Sequence, residues 1–279
     1  MSIDRADKIQ KATFVRLKAG GSEAPLFLLP GIMADPILDF AKVATHARTS
    51  RPIIGIEFCQ RDVYGQLPTT VAAMANSSYL AIREFQPRGP YYIVGYSFGG
   101  LVAIEVARLL RSECEIVHLA LIDTRYDRRY WPMGVFMRSQ VRLIGLHLKR
   151  LTREPPQLAL KRLTYLVQRL VTLLLERHTS WSIDIHTLAE LPASDFQKSC
   201  SIANSRYHPV SYPGRIALFL ADDHGNYCSD PYELWRDFIK EIKCQIFHGN
   251  HLSILRSDAA AAKMAIALER FGAEEEQNR

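Results

Sequence analysis

The sequence predicts an α/β fold: a mainly parallel, twisted sheet with helices on both faces and a helical segment inserted in its second half. Three observations lead there. Short apolar, β-rich runs alternate with helical patterns up to Asp123 and again from Arg215 onward. One such run, Tyr91-Tyr92-Ile93-Val94, passes through Gly95-Tyr96-Ser97-Phe98-Gly99 into the apolar helix start Gly100-Leu101-Val102-Ala103-Ile104. Between Arg125 and about Ala193 the alternation stops, and the chain reads as helices punctuated by Pro132, Pro155-Pro156 and Pro192.

Each element has a local reason. Phe14 to Leu17 reads as an edge strand ended by Gly20-Gly21, and Leu26 to Leu29 as a short buried strand stopped by Pro30-Gly31. Pro36 to Thr45 is helical, Ile53 to Ile56 is a second buried run, and Val71 to Phe85 is a helix closed by Pro87. Tyr91 to Gly95 is the central strand, Leu101 to Leu110 the helix behind it, and Val117 to Ile122 a strand that ends directly on Asp123. After the inserted segment, Arg215 to Leu220 is a strand opening from Pro213-Gly214 and ending at Asp222-Asp223. Pro231 to Glu241 reads as a helix and Gln245 to Phe247 as a final strand leading into His248-Gly249-Asn250-His251. Ser257 to Phe271 is the closing helix, with Ser257 as its cap and Gly272 as its stop. The acidic-polar end from Glu274 is expected to fray.

Composition narrows the class. With 279 residues and 48% of them apolar, the chain can bury one large core, so residues 1–279 are read as a single domain with residues 125–193 as an inserted lid. Five scattered cysteines with no C-x-x-C pair suggest neither a disulfide framework nor a zinc site, and free thiols suit the reducing cytoplasm. Met1 to Gln10 lacks the apolar core of a signal peptide. The greasiest run, Leu163 to Leu175, is interrupted by Arg169 and is too short for membrane insertion. Nothing points to nucleic acid, a metal or a dissociable cofactor.

Charge is concentrated in the inserted segment. Between Arg125 and Arg177 twelve basic residues face three acidic ones, a net +9 against +6 for the whole chain. Arg138, Arg142 and Lys149 form a stripe roughly opposite Val141, Ile144, Leu148 and Leu151 on a helical wheel. This is either a solvated polar face or a docking surface that steers an acidic partner.

The Gly-x-Ser-x-Gly turn between strand and helix is the pattern of a nucleophile elbow, in which a strained serine projects its hydroxyl outward. Gly95 and Gly99 leave out the Cβ atoms that would clash as strand and helix close up. Ser97 is therefore the candidate nucleophile. A hydroxyl needs a base to take its proton, and His251 follows the last strand in a turn that returns over the strand ends. His248 precedes that turn and is expected to point elsewhere. The third member is a carboxylate that holds the imidazole tautomer, and both Asp123 and Asp222 close strands at the carboxyl edge, with Asp223 next to the latter. Sequence position leaves that choice open. The order serine, acid, histidine is that of the α/β-hydrolases. The oxyanion hole would use the amides of Phe98, after the nucleophile, and Ile32, in the loop after the first core strand.

These residues carry a resemblance. The stretches Pro25 to Gly31, Gly95 to Ala103, Leu119 to Asp123, Tyr207 to Ile216, Leu234-Trp235 and Gly249 to Leu255 resemble the thioesterase domains of nonribosomal peptide and polyketide synthases, members of the α/β-hydrolase superfamily. The resemblance spans about Pro25 to Leu268, although the lid matches only in position and helical character. It implies Ser97 as the acylated nucleophile and His251 as the base. It favours Asp123 as the acid, since many such domains place the acid after the strand that follows the elbow; stand-alone editing relatives more often place it after the later strand, at Asp222 here. It also implies a thioester substrate held on a phosphopantetheinylated acyl or peptidyl carrier protein, released by hydrolysis or cyclisation. No carrier domain accompanies these residues, so the partner would be met in trans or the chain is an excised domain. A general carboxylester hydrolase and a catalytically idle hydrolase-fold binding module are the alternatives.

Overall fold

A computed structural model of the chain describes residues 10–61, 64–151, 155, 158, 160, 164, 167, 194–224 and 229–277. Among them seven strands form one sheet: β1 (Thr13–Lys18), β2 (Leu26–Leu29), β3 (Ile53–Glu57), β4 (Tyr91–Tyr96), β5 (Val117–Ile122), β6 (Tyr212–Asp223) and β7 (Ile239–Asn250). Their order is β1-β3-β2-β4-β5-β6-β7. β1 runs antiparallel to β3 and every other pairing is parallel. The described helices are α1 (Pro36–His46), α2 (Val71–Phe85), α3 (Phe98–Ser112), α4 (Met133–Leu151), α5 (Asp195–Arg206), α6 (Pro231–Trp235), α7 (Ser253–Arg256) and α8 (Asp258–Gln277).

The apolar runs are continuous because the central strands are covered on both sides. Side chains alternate strictly between two cores. Phe27, Leu29, Tyr91, Ile93, Leu119 and Leu121 face α2 and α3, while Leu26, Leu28, Tyr92, Val94, Ala120 and Ile122 face α1 and α8. Each large side chain fully buried this way contributes about 1.5–3 kcal/mol. Strand order reverses at β2: the chain steps to β3 on one side, then crosses to β4 on the other. The loop after β2 and the turn after β4 therefore meet at the carboxyl edge of neighbouring strands, where such sheets form their sites.

Three sequence expectations change. The helix expected over residues 231–241 ends at Trp235, and β7 begins at Ile239, well before the expected strand at Gln245. Leu234, Trp235, Phe238 and Ile242 have helical spacing, yet Ile239 and Ile242 pair with Tyr212 and Ile216 of β6. β7 is an edge strand, and Lys240, Glu241 and Lys243 break up its apolar pattern; such charges are how sheet edges avoid pairing with other chains. Gly272 does not stop the last helix, which runs to Gln277 rather than fraying from Glu274. A Cβ at Gly272 would lie 3.0 Å from Arg51 Nε, so this glycine serves close packing. Ser257 is the expected cap, its hydroxyl accepting from Ala260 N–H at 3.3 Å.

Of the inserted segment, the described residues form a short 3-10 turn, Arg128–Tyr130, and α4. Lys161, Arg162, Arg169 and Arg177, and the lid expectation over most of residues 152–193, lie outside the described residues. No helix among the described residues is long and apolar enough to cross a membrane.

Candidate active site

Ser97 sits at the junction of β4 and α3 with φ +54° and ψ −120°. That backbone is unfavourable for a side-chain-bearing residue and persists only because the surroundings impose it. A Cβ on Gly95 would lie 2.5 Å from Gly100 Cα, and one on Gly99 would run into the Pro30 carbonyl. The strained turn is thus the one that lets strand and helix close, and it lifts the Ser97 hydroxyl above the sheet edge.

His251 follows β7 directly. Its Nε2 lies 2.9 Å from Ser97 Oγ, and its Nδ1 lies 2.6 Å from Asp123 Oδ2. With Nδ1–H donating to the carboxylate, Nε2 is left to accept from the serine hydroxyl. Tyr96 holds the ring from a third side: the two rings stack at 5.0 Å, and the tyrosine hydroxyl donates to the His251 carbonyl at 2.7 Å. The structure brings Ser97, His251 and Asp123 into one hydrogen-bonded line.

Asp123 is 1% exposed and takes φ +45° where β5 ends, its N–H donating to the Phe219 carbonyl at 2.8 Å. Its Oδ2 accepts a second bond, from Arg125 Nη1 at 2.9 Å; Oδ1 makes none among the described residues. Burial alone would push this carboxyl up. The bond from His251 and the charge of Arg125 outweigh burial and bring it down to about 2. Arg125 is itself buried and also reaches His224 Nδ1 and the Ser229 carbonyl, each at 3.4 Å. Burial and the nearby guanidinium lower the His224 ring below its ordinary value, which suits an acceptor of the Arg125 N–H.

Asp222 is placed elsewhere. Its Oδ2 bonds His248 Nδ1 at 2.8 Å and its Oδ1 accepts from Gly249 N–H at 2.8 Å. These bonds, the backbone one foremost, lower its carboxyl pKa. The His248 side chain is 92% exposed, so it points into solvent beside the site.

Phe98 is the first residue of α3, so its N–H belongs to the four amides of that helix with no partner inside the helix. Ile32 packs on the core within the Gly31–Ala34 turn, closed by the Ala34 N–H bond to the Gly31 carbonyl at 2.9 Å. Buried Asp39 anchors this loop: Oδ2 accepts from Gly31 N–H at 2.8 Å and Oδ1 from Arg256 Nη2 at 3.1 Å. Arg256 ends α7, the short helix just past His251. One carboxylate therefore ties the Ile32 loop to the histidine loop.

The basic stripe is exposed but not simply solvated. Arg138, Arg142 and Lys149 are exposed, but Arg138 pairs with Glu233 at 3.1 Å. Arg125 pairs with Asp123, just before the segment, and Arg129 with Asp127 within it. The apolar stripe is not the buried side of α4 either: Val141 and Leu148 are 67% and 51% exposed, while Val135, Ser139 and Leu143 face inward.

Sequence reasoning missed Arg125, Asp39, Arg256 and Tyr96. Arg125 enters the sequence reading only as one of twelve basic residues of the inserted segment, although it stands two residues beyond a strand-end aspartate, close enough to turn back on it. Asp39 and Arg256 stand in no motif, and Tyr96 occupies a variable position of the elbow; the partners of all three lie in distant parts of the chain.

Residues 24–267 match the family described as Thioesterase domain. Over 143 residues the chain is 34% identical to an inactive atromentin synthetase of Paxillus involutus, covering 49% of this chain and 14% of that protein. Over 114 residues it is 35% identical to malpinin synthetase of Mortierella alpina, covering 40% of this chain and 2% of that protein. The chain thus spans only a small part of these relatives' length. Among solved structures, the NocB thioesterase domain in covalent complex with a fluorophosphonate nocardicin G analogue matches with a TM-score of 0.59 and 19% identity, covering 93% of this chain and 98% of that one.

Proposed function

The chain belongs to the thioesterase domain family, and from that premise we propose that it is a serine hydrolase releasing an acyl, peptidyl or polyketidyl group from a carrier protein's phosphopantetheine thioester. The observation that supports this most is the unbroken line Ser97–His251–Asp123, with contacts of 2.9 and 2.6 Å. Ser97 Oγ attacks the thioester carbonyl while His251 Nε2 takes the hydroxyl proton. Negative charge gathers on the carbonyl oxygen and rests on the Phe98 and Ile32 amides. The C–S bond breaks, His251 returns the proton to the departing thiolate, and an acyl-serine remains. Water, or a nucleophile within the acyl chain, then gives its proton to His251 and attacks the ester; the bond from the acyl carbon to Ser97 Oγ breaks, and His251 returns the proton to Oγ. Asp123, kept ionised, stabilises the imidazolium in both halves.

The carrier docks on α4 in this reading. Arg142 and Lys149 lie beside the exposed apolar side chains Met137, Val141 and Leu148, a mixed surface suited to an acidic protein with an apolar seam. The residues from 125 to 193 act as a lid on one domain, and catalysis uses no metal or dissociable cofactor.

The test is incubation with acyl-pantetheine thioesters, followed by mass spectrometry for an acyl group on Ser97. An adduct in the parent and none in Ser97→Ala is expected. No adduct and no turnover would support an idle scaffold, a reading that draws on the relative named inactive. Turnover of oxygen esters but not of thioesters of equal acyl length would favour a general carboxylester hydrolase.

A further inference from the structure

We propose that Arg125 is a positioning residue of this site: it holds the Asp123 carboxylate ionised and oriented toward His251, and it sets the acid limit of the rate profile. The inference rests on the Ser97–His251–Asp123 reading above and goes beyond it. Hydrolase chemistry requires no cation behind the acid, yet one is buried there, with its Nη1 2.9 Å from the same oxygen that receives His251.

The geometry gives Arg125 two effects. First, orientation: among the described residues Asp123 Oδ1 has no hydrogen-bond partner, and the carboxylate is held through Oδ2 by His251 and Arg125. The guanidinium is fixed in turn by His224 Nδ1 and the Ser229 carbonyl, both beyond the end of β6. It clamps the end of β5 to the chain that follows the next strand. Second, charge: a buried cation beside the dyad opposes uptake of a further proton by the Asp123–His251 pair. The ionisable groups around this cluster among the described residues can be named. Asp123 and His251 form the dyad, with the Tyr96 ring stacked on the histidine. His224 lies against Arg125, and Asp230 and Arg142 act on His224 from farther away. Among the described residues, Arg125 is the one arginine or lysine in hydrogen-bond contact with Asp123.

The experiment is the pH dependence of kcat/KM for an acyl-pantetheine thioester, together with the rate of Ser97 modification by a fluorophosphonate, in the parent, Arg125→Met and Arg125→Lys. In Arg125→Met the acid limb of both profiles is expected to move upward by about one pH unit, with a plateau lowered several-fold. Arg125→Lys, which keeps the charge, is expected to return the limb to within a few tenths of a unit of the parent. An acid limb unmoved in Arg125→Met, whatever the plateau, overturns the proposal, because a role confined to folding lowers amplitude and leaves the limb in place. Should the methionine variant not fold, Arg125→Gln is read by the same criterion. A parent that neither turns over thioester nor labels at Ser97 would instead sink the underlying serine-hydrolase reading, so the two failures are distinct.

Discussion

Asp123 and Asp222 end neighbouring parallel strands of one sheet, and each meets a histidine at the carboxyl end of β7, yet their environments differ. Asp123 is sealed in, shares one oxygen between an imidazole and a guanidinium, and faces the elbow serine. Asp222 is open to water, and its carboxylate is spent on the turn itself, through Gly249 N–H and the exposed His248. The difference teaches that strand-end position brings an acid to the right edge of the sheet, while burial and a neighbouring charge decide what it can do there. In a dry site an ionised carboxylate acts on an imidazolium at low effective dielectric; at the surface the same contact is screened.

The comparison is tested most severely by Asp123→Asn. On the proposed mechanism the amide loses the charge that stabilises the imidazolium and favours the wrong ring tautomer, so kcat for a thioester is expected to fall on the order of 10⁴-fold. Steady-state turnover at neutral pH checks it, and a near-parental rate would transfer the role of acid to Asp222.

A third carboxylate, the buried Asp39, extends the comparison to the other side of the site. Asp39 →Ala removes the acceptor of Gly31 N–H and the partner of Arg256 together. Freed from this anchor, the Ile32 amide loses its alignment, and kcat is expected to fall on the order of 10²-fold with KM little changed. The melting temperature falls as well, since a buried amide is left unpaired. Unchanged kcat would show that the Gly31–Ala34 turn holds itself.

Which parts of this could be read from residue order follows from the range of the forces involved. The central strands and α1 to α3 were readable because their apolar runs, turns and caps are local. The edge was not: β7 pairs on one side only, so its exposed face carries lysines and glutamate, and its apolar residues fit a helix equally well. At the site, Ser97 announces itself through two glycines that close packing demands, and His251 through its turn. The choice between Asp123 and Asp222 stayed open at the level of spacing because both obey the same strand-end rule. Arg125 was invisible for a related reason: a basic residue in a basic segment looks like surface until the fold buries it against a carboxylate.

The exposed cations of that same segment offer a smaller test of buried against solvated charge. Reversing Arg138, Arg142 and Lys149 to glutamate is expected to raise KM for a carrier-bound thioester about tenfold, mostly through slower encounter, and to leave KM for a free pantetheine thioester unchanged. Raised salt should weaken the parent's preference for the carrier-bound substrate in the same direction. An equal change on both substrates would place the effect in the lid rather than in docking.

The smallest effect is expected at Asp222→Asn. The carboxyl is held below its ordinary value of 3.8 by Gly249 N–H and His248, so its hold on the histidine loop is complete above that value and is lost only as pH falls through the lowered one. At neutral pH the asparagine keeps an oxygen for Gly249 and surrenders only a screened contact with an exposed ring. Its kcat/KM should therefore stay within about fivefold of the parent, and the neutral pH profile should keep its shape. A loss approaching that of Asp123→Asn would erase the distinction between the two strand ends, because it would mean that a solvent-facing carboxylate governs His251 as strongly as a buried one.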